Sequence, residues 1–221
     1  MAAADWGALF DWDGVVIDSS SHHEESWERL ALEVGRVLPP DHFLKGFGRK
    51  NEVIIPKLLG WTHDPAEIRR LSLRKEALYR EVVAERGLTA LPGVRTWLER
   101  LRGAGVPCAI GSSTHRANID LSLGLIGLAE FFSAIVTAED VSTGKPDPEV
   151  FFTAAARIAR RPARCVVFED AHVGIDAARA GGMRVVAVAT THPASELTAA
   201  DLAVLRLDEL QPATLAAWFA E

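Results

Sequence analysis

Short apolar runs recur along the chain and predict the strands of one sheet. They lie at residues 8–10, 107–111, 134–137, 165–168, 185–189 and 202–207. Amphipathic helical patterns separate most of them, at 94–102, 117–123, 149–159 and 173–180. Strands that alternate with helices are typical of a parallel sheet covered on both faces. The pattern therefore predicts a doubly wound α/β core with a mostly parallel sheet.

The stretch from about residue 19 to residue 86 breaks this alternation. It contains no convincing strand, and apolar residues such as Trp27, Leu30 and Val34 follow helical spacing. Asp64 followed by Pro65 predicts the start of a second helix, because aspartate is a favourable N-cap and proline suits the first turn. We therefore predict a helical cap domain at 18–88, inserted into a core formed by residues 1–17 and 89–221.

One lysine occupies an apolar position on this second predicted helix. Its apolar stripe runs through Leu71 and Leu78, and Lys75 lies between them on the same face. In one interpretation, Lys75 lies at the edge of the stripe and extends its ammonium group to solvent. In the other, the helix presents Lys75 to a cleft.

Composition restricts the choice of partners and location. The 221 residues carry a net charge of −6, with scattered basic residues, which disfavours nucleic acid or an anionic membrane as a partner. No apolar run reaches the length of a membrane span, and the N-terminus lacks the form of a signal peptide. We expect a cytoplasmic monomer, and anionic small molecules remain possible partners. Cys108 and Cys165 lie in apolar segments, which favours buried, reduced thiols.

Two aspartates follow the first predicted strand, in the order Asp11-Trp12-Asp13-Gly14. Side chains two residues apart lie on one face of a strand, so both carboxylates can converge where the strand ends. Two carboxylates held together attract a cation, and Mg²⁺ suits oxygen ligands while leaving places for water and a phosphate. A solvated turn is the alternative for an isolated pair of this kind.

Further polar residues follow the next predicted strands. They are the hydroxyl group Ser112-Ser113-Thr114, the lysine of Lys145-Pro146-Asp147-Pro148, and the acidic pair Glu169-Asp170. Taken singly, these indicate a helix cap, a solvated lysine and a surface turn. The carboxyl ends of parallel strands share one crevice, where ligands bind. We therefore expect these groups and the first two aspartates to form one site.

This ordered set of motifs resembles the haloacid dehalogenase-like superfamily, in particular its members related to β-phosphoglucomutase that carry a small helical cap. The motifs stand at residues 11–18, at Ser112, at 145–151, and at 169–170 followed by 174–178, so the resemblance covers nearly the whole chain. It implies a Rossmann-like catalytic core and phosphoryl transfer through an aspartyl-phosphate.

The resemblance also implies a role for each motif residue. Asp11 is the expected nucleophile, and Asp13 is the expected general acid and base. Mg²⁺ is expected on Asp11, the backbone carbonyl of Asp13 and Asp170, with Glu169 in or just behind the coordination shell. Ser112 and Lys145 are expected to bind the transferring phosphoryl group.

Several reactions occur on this scaffold, and Asp13 separates them. A halide leaving group needs no proton, so the dehalogenating branch is expected to lack both this residue and the metal. The phosphonate-cleaving branch typically has a small residue there. We therefore expect a Mg²⁺-dependent phosphatase for a small, sugar-phosphate-like monoester. A non-catalytic phosphate-binding protein is a weaker alternative, because such a protein is expected to have lost Asp11 or Asp13.

A sugar phosphate mutase is the stronger alternative. His23, Arg49 and Lys75 fall where β-phosphoglucomutase carries a hinge-region histidine and the cap cations that engage a second phosphate. The mutase pattern prefers a serine before the arginine, whereas this chain has Gly48. In either case we expect substrate contacts from the cap and from the hydroxyl loop; the predicted set is His23, Lys45, Arg49, Lys75, Ser113 and Thr114.

Overall fold

The core of the molecule is a sheet of parallel strands. The computed structural model describes residues 4–220, and within them six strands form this sheet in the order β3-β2-β1-β4-β5-β6. The strands are β1 (Gly7–Phe10), β2 (Cys108–Gly111), β3 (Ala134–Val136), β4 (Cys165–Glu169), β5 (Arg184–Val188) and β6 (Leu202–Val204). The chain places β2 and β3 on one side of β1 and then β4, β5 and β6 on the other side. This arrangement confirms the predicted doubly wound fold.

Helices connect the strands and cover both faces of the sheet. In chain order they are α1 (Ser20–Val34), α2 (His42–Gly46), α3 (Asn51–Val53), α4 (Pro65–Arg86), α5 (Val94–Gly103), α6 (Arg116–Ile126), α7 (Glu149–Arg157), α8 (His172–Ala180) and α9 (Pro212–Ala216). Ala8 and Phe10 of β1 pack in a cluster with α5 and α6, whereas Leu9 packs in a second cluster with α7 and α8. Alternate strand residues thus fill two apolar layers.

The segment inserted between β1 and α5 is helical. It holds α1 to α4 and a π-helical turn at Ile54–Leu58, and residues 18–88 form no strand. Trp27 and Leu30 of α1 and Leu78 of α4 belong to a third apolar cluster of its own. Asp64 caps α4 by accepting a hydrogen bond from the backbone N–H of Ala66 at 3.2 Å. These features fit the predicted cap domain, whose boundaries remain a prediction.

Two crossing segments join the insert to the core. Ile17 pairs with Ala90 as an antiparallel bridge, and the backbone N–H of Leu91 donates to the carbonyl of Val16 at 3.0 Å. This pairing fixes where the chain leaves and re-enters the core. The first turn of α1, which begins at Ser20, therefore lies directly above the end of β1.

Two predicted ends were wrong. The last strand was predicted to reach residue 207, but β6 stops at Val204 and Leu207 begins a 3-10 turn. That turn is closed by Glu209, which accepts from the backbone N–H of Arg206, so buried Leu207 reaches the core from a turn. Helix α7 ends at Arg157 because Ala159 has a left-handed φ of 54°. Within residues 4–220, no helix combines the length and apolar character that a membrane crossing requires.

Candidate active site

Three carboxylates meet where β1 and β4 end. The two strands are paired, and the backbone N–H of Asp11 donates to the carbonyl of Phe168 at 2.9 Å. This register brings Asp11 beside Glu169, and Asp170 follows directly. One carboxylate oxygen from each of the three lies within 4.8 Å of the others, and all three side chains are buried. We call these residues, together with Lys145, the strand-end cluster.

Lys145 supplies the positive charge of the strand-end cluster. Its ammonium group donates to Asp11 Oδ1 and to Glu169 Oε1, each at 2.6 Å. Burial alone lowers the pKa of Lys145, but the two carboxylates outweigh burial and raise the pKa above its usual value. The loop before α7 therefore presents a fixed cation to the site, as predicted from the sequence.

One ammonium group does not neutralise three buried carboxylates. Burial raises the pKa of Asp11, Lys145 partly offsets this, repulsion by Glu169 adds to it, and the result is about 7. Burial and repulsion by Glu169 and Asp11 raise the pKa of Asp170 well above its usual value. Carboxyl groups ordinarily titrate near pH 4. The raised pKa values of Asp11 and Asp170 therefore show that the strand-end cluster carries excess negative charge.

The donor set of the strand-end cluster fits a hard divalent cation. Asp170 Oδ1 is buried and has no hydrogen-bond partner among the described residues, while its Oδ2 accepts from the hydroxyl of Thr191. Both oxygens of Glu169 are already engaged, one by Lys145 and the other by the backbone N–H groups of Asp170 and Ala171 at 2.8 Å. Mg²⁺ would therefore fall to Asp11 and Asp170, with Glu169 holding its neighbours in place.

Two glycines let the backbone approach these carboxylates. A Cβ atom at Gly14, where φ is 79°, would lie 2.0 Å from Asp170 Oδ2. A Cβ atom at Gly174 would lie 1.7 Å from Glu169 Oε1. Any side chain at either position would displace a carboxylate of the strand-end cluster, which gives both glycines a definite role.

Asp13 has a different set of partners from the other three acids. Its Oδ1 accepts from the hydroxyl of Ser19 at 2.6 Å and from His23 Nε2 at 3.0 Å, and its Oδ2 accepts from the hydroxyl of Thr114 at 2.5 Å. Burial raises the pKa of Asp13, but His23 and the two hydroxyl donors more than offset it and hold the pKa well below its usual range. Asp13 is therefore an ionised carboxylate here. Its predicted metal contact through the backbone carbonyl remains a prediction.

The histidine that contacts Asp13 is held by the cap. Lys75 Nζ lies 2.6 Å from His23 Nδ1, and the ring of Tyr79 stacks on the His23 ring at 4.1 Å. An ammonium group can only donate, so His23 Nδ1 is the acceptor. The ring hydrogen is therefore on Nε2, which donates it in the hydrogen bond to Asp13. Lys75 thereby fixes the tautomer of His23.

Lys75 is itself buried and paired. Its ammonium group donates to Glu76 Oε1 at 3.1 Å and lies 5.5 Å from the ring centre of Trp27. The side chain of Lys75 is only 3% exposed, so the interpretation in which it extends to solvent is wrong. Lys75 lines the cleft, but its ammonium group is already engaged there by His23 and Glu76.

Glu76 links the cap to the core. Its Oε1 accepts from Asn51 Nδ2 at 2.7 Å, and its Oε2 accepts from Asn118 Nδ2, a residue of α6 in the core. Burial raises the pKa of Glu76, but Lys75, His23, His115 and the hydrogen bond from Asn51 lower it to about 2. We call Asp13, His23, Lys75 and Glu76 the hinge network.

The cleft between cap and core is small, with a cavity volume of about 60 Å³. The predicted residues Ser112, Ser113, Thr114, His23, Arg49 and Lys75 line it together with Asp11 and Asp13. Ser113 and Thr114 use their hydroxyl groups elsewhere, since Ser113 donates to the carbonyl of Gly48 at 2.9 Å and Thr114 to Asp13. In this structure they join cap to core and orient Asp13; neither hydroxyl is left to donate to a phosphate.

Lys45 is the exception among the predicted substrate contacts. It lies on the outer side of α2, with its side chain 62% exposed and its ammonium group 3.9 Å from Asp41. It does not line the cleft, because α2 presents His42, Phe43 and Gly46 there instead. The structure thus does not support a substrate contact from Lys45.

Sequence reasoning missed several residues of the site. Ser19, Glu76 and Thr191 contact predicted site residues, namely Asp13, Lys75 and Asp170. Asn51 and Asn118 donate to Glu76, and Lys50 donates to two backbone carbonyls of the loop that leads to Lys145. Asn51 and Glu76 belong to cap helices, and no motif or spacing within the chain points to their pairing. Ser19 carries a weak signal, because serine is common immediately before a helix.

Comparisons with known proteins agree with this geometry. The family model described as haloacid dehalogenase-like hydrolase matches residues 8–188. The chain belongs to this family. The predicted resemblance and fold class are therefore confirmed.

Three curated relatives are informative. A chloroplastic 5-amino-6-(5-phospho-D-ribitylamino)uracil phosphatase of Arabidopsis thaliana is 42% identical over 207 residues, which cover 92% of this chain and 55% of that protein. The chain thus spans about half of that relative. Validoxylamine A 7'-phosphate phosphatase of Streptomyces hygroscopicus subsp. limoneus is 33% identical over 92% of this chain and 95% of its own length. Beta-phosphoglucomutase of Bacillus subtilis (strain 168) is 31% identical, covering 91% and 90%.

A solved structure gives the same architecture. The β-phosphoglucomutase of Clostridium difficile superposes with a TM-score of 0.85 and covers 98% of each chain, at 24% sequence identity. At that identity the likeness shows the fold alone. The family membership and the fold are therefore settled, whereas the reaction depends on the site.

Proposed function

We propose that this protein is a Mg²⁺-dependent phosphatase that hydrolyses a small, sugar-phosphate-like monoester through an aspartyl-phosphate. One observation carries the proposal: Asp11 lies in a carboxylate cluster that suits a divalent cation, beside Lys145, while Asp13 is ionised and held by three donors of its own. A nucleophile and a separate acid and base are what two-step phosphoryl transfer requires.

Each residue has a defined part in the first step. Ser112 and Lys145 bind the phosphoryl group of the ester and place it in line with Asp11. Asp11 then attacks phosphorus, and the leaving oxygen takes a proton from Asp13. Mg²⁺, when bound by Asp11 and Asp170, offsets the repulsion between the phosphate dianion and these carboxylates.

Asp13 must change its protonation state between the two steps. In this structure it is ionised, which is the form that accepts a proton from the water that attacks the aspartyl-phosphate. A phosphate dianion near Asp13 raises the pKa of its carboxyl group, because like charges disfavour ionisation, so substrate binding favours the protonated form. Transfer of that proton to the leaving oxygen returns Asp13 to the ionised form, which then takes a proton from the attacking water.

The cap favours hydrolysis over the mutase reaction. Of the two predicted cap cations in the cleft, Lys75 is bound by His23 and Glu76, which leaves Arg49 for a second phosphate. The residue before Arg49 is Gly48, with φ of 77°, a backbone conformation in which the serine of the mutase pattern would be strained. A mutase must hold a bisphosphate firmly. With Lys75 engaged, this cleft offers one of its two predicted cap cations for the second phosphate.

The substrate proposed here carries hydroxyl groups and a planar ring. Two of the relatives are named for phosphates of polyhydroxylated molecules, one of which includes a uracil ring. In this chain the cap side of the cleft is lined by Phe43, Phe47 and His42. His42 Nδ1 donates to the carbonyl of Pro39 at 3.1 Å, so Nε2 is an acceptor, and it has no partner among the described residues. Aromatic faces and a free acceptor suit a heterocycle that carries N–H groups.

The test is a phosphate-release screen with Mg²⁺. The panel holds the ribitylaminouracil 5-phosphate, ribitol 5-phosphate, hexose 6-phosphates and nucleotide monophosphates, with β-glucose 1-phosphate and a bisphosphate primer assayed for isomerisation. Phosphate release from a polyol or sugar ester supports the proposal. Glucose 6-phosphate formed without free phosphate would replace it with a mutase.

A cap variant tests the ring-binding part. We expect Phe43→Ala to raise KM about tenfold for the ring-bearing ester and to leave ribitol 5-phosphate unaffected, because only the former stacks on the aromatic side chain. Leu44→Ala is the matched control, since Leu44 is 52% exposed and does not line the cleft. Equal effects on both esters would remove the ring from the proposed substrate.

A further inference from the structure

A second group of metal-ligating side chains lies outside the catalytic cleft. His172 is the first residue of α8, and His192 and Glu196 lie in the loop that follows β5. One ligand atom from each of the three lies within 4.8 Å of the others, and the two imidazole rings are 4.7 Å apart between centres. This group shares no member with the strand-end cluster.

The backbone on both sides of this group is fixed by buried contacts. The backbone N–H of Ala171 donates to Glu169 at 2.8 Å, which holds the start of α8. The hydroxyl of Thr191 donates to Asp170, and the side chain of Leu197 is buried in the core, which anchors the loop at two points. The fold therefore brings the three side chains together, and no hydrogen bond joins them to one another.

The loop geometry brings Glu196 back toward His192. The backbone N–H of Glu196 donates to the carbonyl of Pro193 at 2.9 Å, which closes a turn between them. Within residues 4–220, the side chains of His172, His192 and Glu196 make no hydrogen bond or ion pair. Their ligand atoms are therefore available to bind an ion. Two of the three side chains are imidazoles, one exposed and one half-exposed, and imidazole is a common zinc ligand.

We propose that His172, His192 and Glu196 form a surface site for a divalent ion of the zinc class. Zinc takes imidazole nitrogen and carboxylate oxygen at about 2.0–2.2 Å in a tetrahedron, which places neighbouring ligand atoms roughly 3.3 Å apart. Small rotations of exposed side chains close the gap from 4.8 Å. Water takes the fourth position. The carboxylate of Glu196 offsets the positive end of α8, which otherwise repels a cation.

The two sites differ in ligand chemistry and are therefore separable. The strand-end cluster offers only oxygen atoms and suits Mg²⁺, whereas the surface site offers two nitrogen atoms and one oxygen atom. The proposal does not depend on the phosphatase reaction. Zn²⁺ binding is measured directly, so its failure would leave the proposed catalytic function untouched.

The experiment is a Zn²⁺ titration of the full chain in excess Mg²⁺. Calorimetry measures the binding, and the thermal midpoint of unfolding measures the stability. We expect one equivalent of Zn²⁺ to bind, and His172→Ala and His192→Ala each to weaken it by roughly 10- to 100-fold or more, since loss of even an outer partner has an effect of that size. His115→Ala is the matched control, because the His115 imidazole lies 3.5 Å from Glu139 and is not part of the proposed zinc site.

Variants of the other site complete the test. Asp11→Asn should keep the zinc affinity, because Asp11 belongs to the strand-end cluster and does not anchor the loop of His192. Saturating Zn²⁺ should raise the thermal midpoint of the wild type but not of His192→Ala. The proposal is overturned if the two histidine variants bind Zn²⁺ as tightly as the wild type, or if Asp11→Asn alone abolishes binding. The latter outcome would place the ion in the strand-end cluster.

Discussion

The strand-end cluster and the hinge network are made of the same kinds of residue but are balanced in opposite ways. In the strand-end cluster, three carboxylates share the charge of Lys145, and the pKa values of Asp11 and Asp170 are raised. In the hinge network, Asp13 and Glu76 face Lys75 and several hydrogen-bond donors, His23 among them, and both pKa values are lowered.

This difference separates a site that is incomplete without ligands from one that is complete in the folded chain. Excess negative charge in a buried cluster costs free energy of folding, and a divalent cation recovers it on binding. The hinge network has its partners built in, so it orients Asp13 before any ligand arrives. The first region supplies the chemistry, and the second fixes the position of the proton-transfer group.

The largest expected effect comes from removing the nucleophile. Asp11→Asn should lower kcat by roughly 10⁴- to 10⁶-fold, because loss of a nucleophile removes the covalent path. The same variant should be more stable than the wild type in the absence of Mg²⁺ at neutral pH, since it removes one buried charge from an unbalanced cluster. Turnover of an aryl phosphate and urea unfolding measure the two effects. Exposed Asp176→Asn is the control, and full activity in Asp11→Asn would refute the assignment.

Breaking the hinge network should destabilise the protein whether or not Mg²⁺ is present. Glu76→Leu leaves Lys75 with an uncompensated buried charge, and we expect unfolding to become easier by about 3–5 kcal/mol. The double variant Lys75→Met with Glu76→Leu removes both charges and should lose less than the sum of the single variants. Urea unfolding with and without Mg²⁺ measures this. If Mg²⁺ restored the stability of Glu76→Leu, the hinge network and the strand-end cluster would have to be treated as one coupled site.

The raised pKa values of the strand-end cluster predict how stability depends on pH. A carboxyl group whose pKa is raised from 3.8 to about 7 in the folded state stabilises the protein less and less as pH rises through that window. The metal-free protein should therefore lose stability between about pH 4 and pH 7. Asp11 alone accounts for up to about 4 kcal/mol, at about 1.4 kcal/mol per pKa unit.

Two comparisons isolate this effect. Asp11→Asn and the Mg²⁺-loaded wild type should both show a flatter profile over the same pH range, because the first lacks the group and the second holds it ionised. Chemical unfolding of the chelator-treated protein at several pH values gives the measurement. Identical profiles with and without Mg²⁺ would show that the carboxylates are balanced without metal.

The strand-end cluster was predictable from sequence because each member follows a short apolar run. Parallel strands bring their ends together, so Asp11, Lys145 and Asp170 meet as a consequence of topology alone. The same reasoning located the sheet and the helical insert. It required only local patterns and one general property of such sheets.

The hinge network was predicted only in part. His23 and Lys75 were candidates, but Glu76 and its amide donors were not, because the contacts join cap to core across long separations in the chain. A lysine on an apolar stripe gives no indication of its partner, so the burial of Lys75 between aromatic rings and Glu76 could be seen only in the structure. The placement of Lys45 outside the cleft was not predictable for a similar reason, since spacing within a five-residue helix does not show which residues face outward.

The smallest expected effect concerns Lys50, which joins the cap to the loop that carries Lys145. Its ammonium group donates to the carbonyls of Ala138 and Val141 at 2.8 and 2.7 Å, and its side chain packs against Gly144. Lys50→Met keeps the packing but removes the donors. We expect KM to rise about three- to tenfold, or about 0.6–1.4 kcal/mol, because the cap closes less firmly over substrate.

The kinetic pattern shows which region Lys50 serves. If it acts through cap closure, KM rises while kcat and the pH profile stay as they are, and exposed Lys57→Met of the same insert changes nothing. If it instead positions the loop of Lys145, kcat falls and the metal-free protein becomes less stable, because Lys145 then balances the carboxylates less well. Steady-state kinetics over a range of pH decide between the two, since only the second result would tie the cap to the charge of the strand-end cluster.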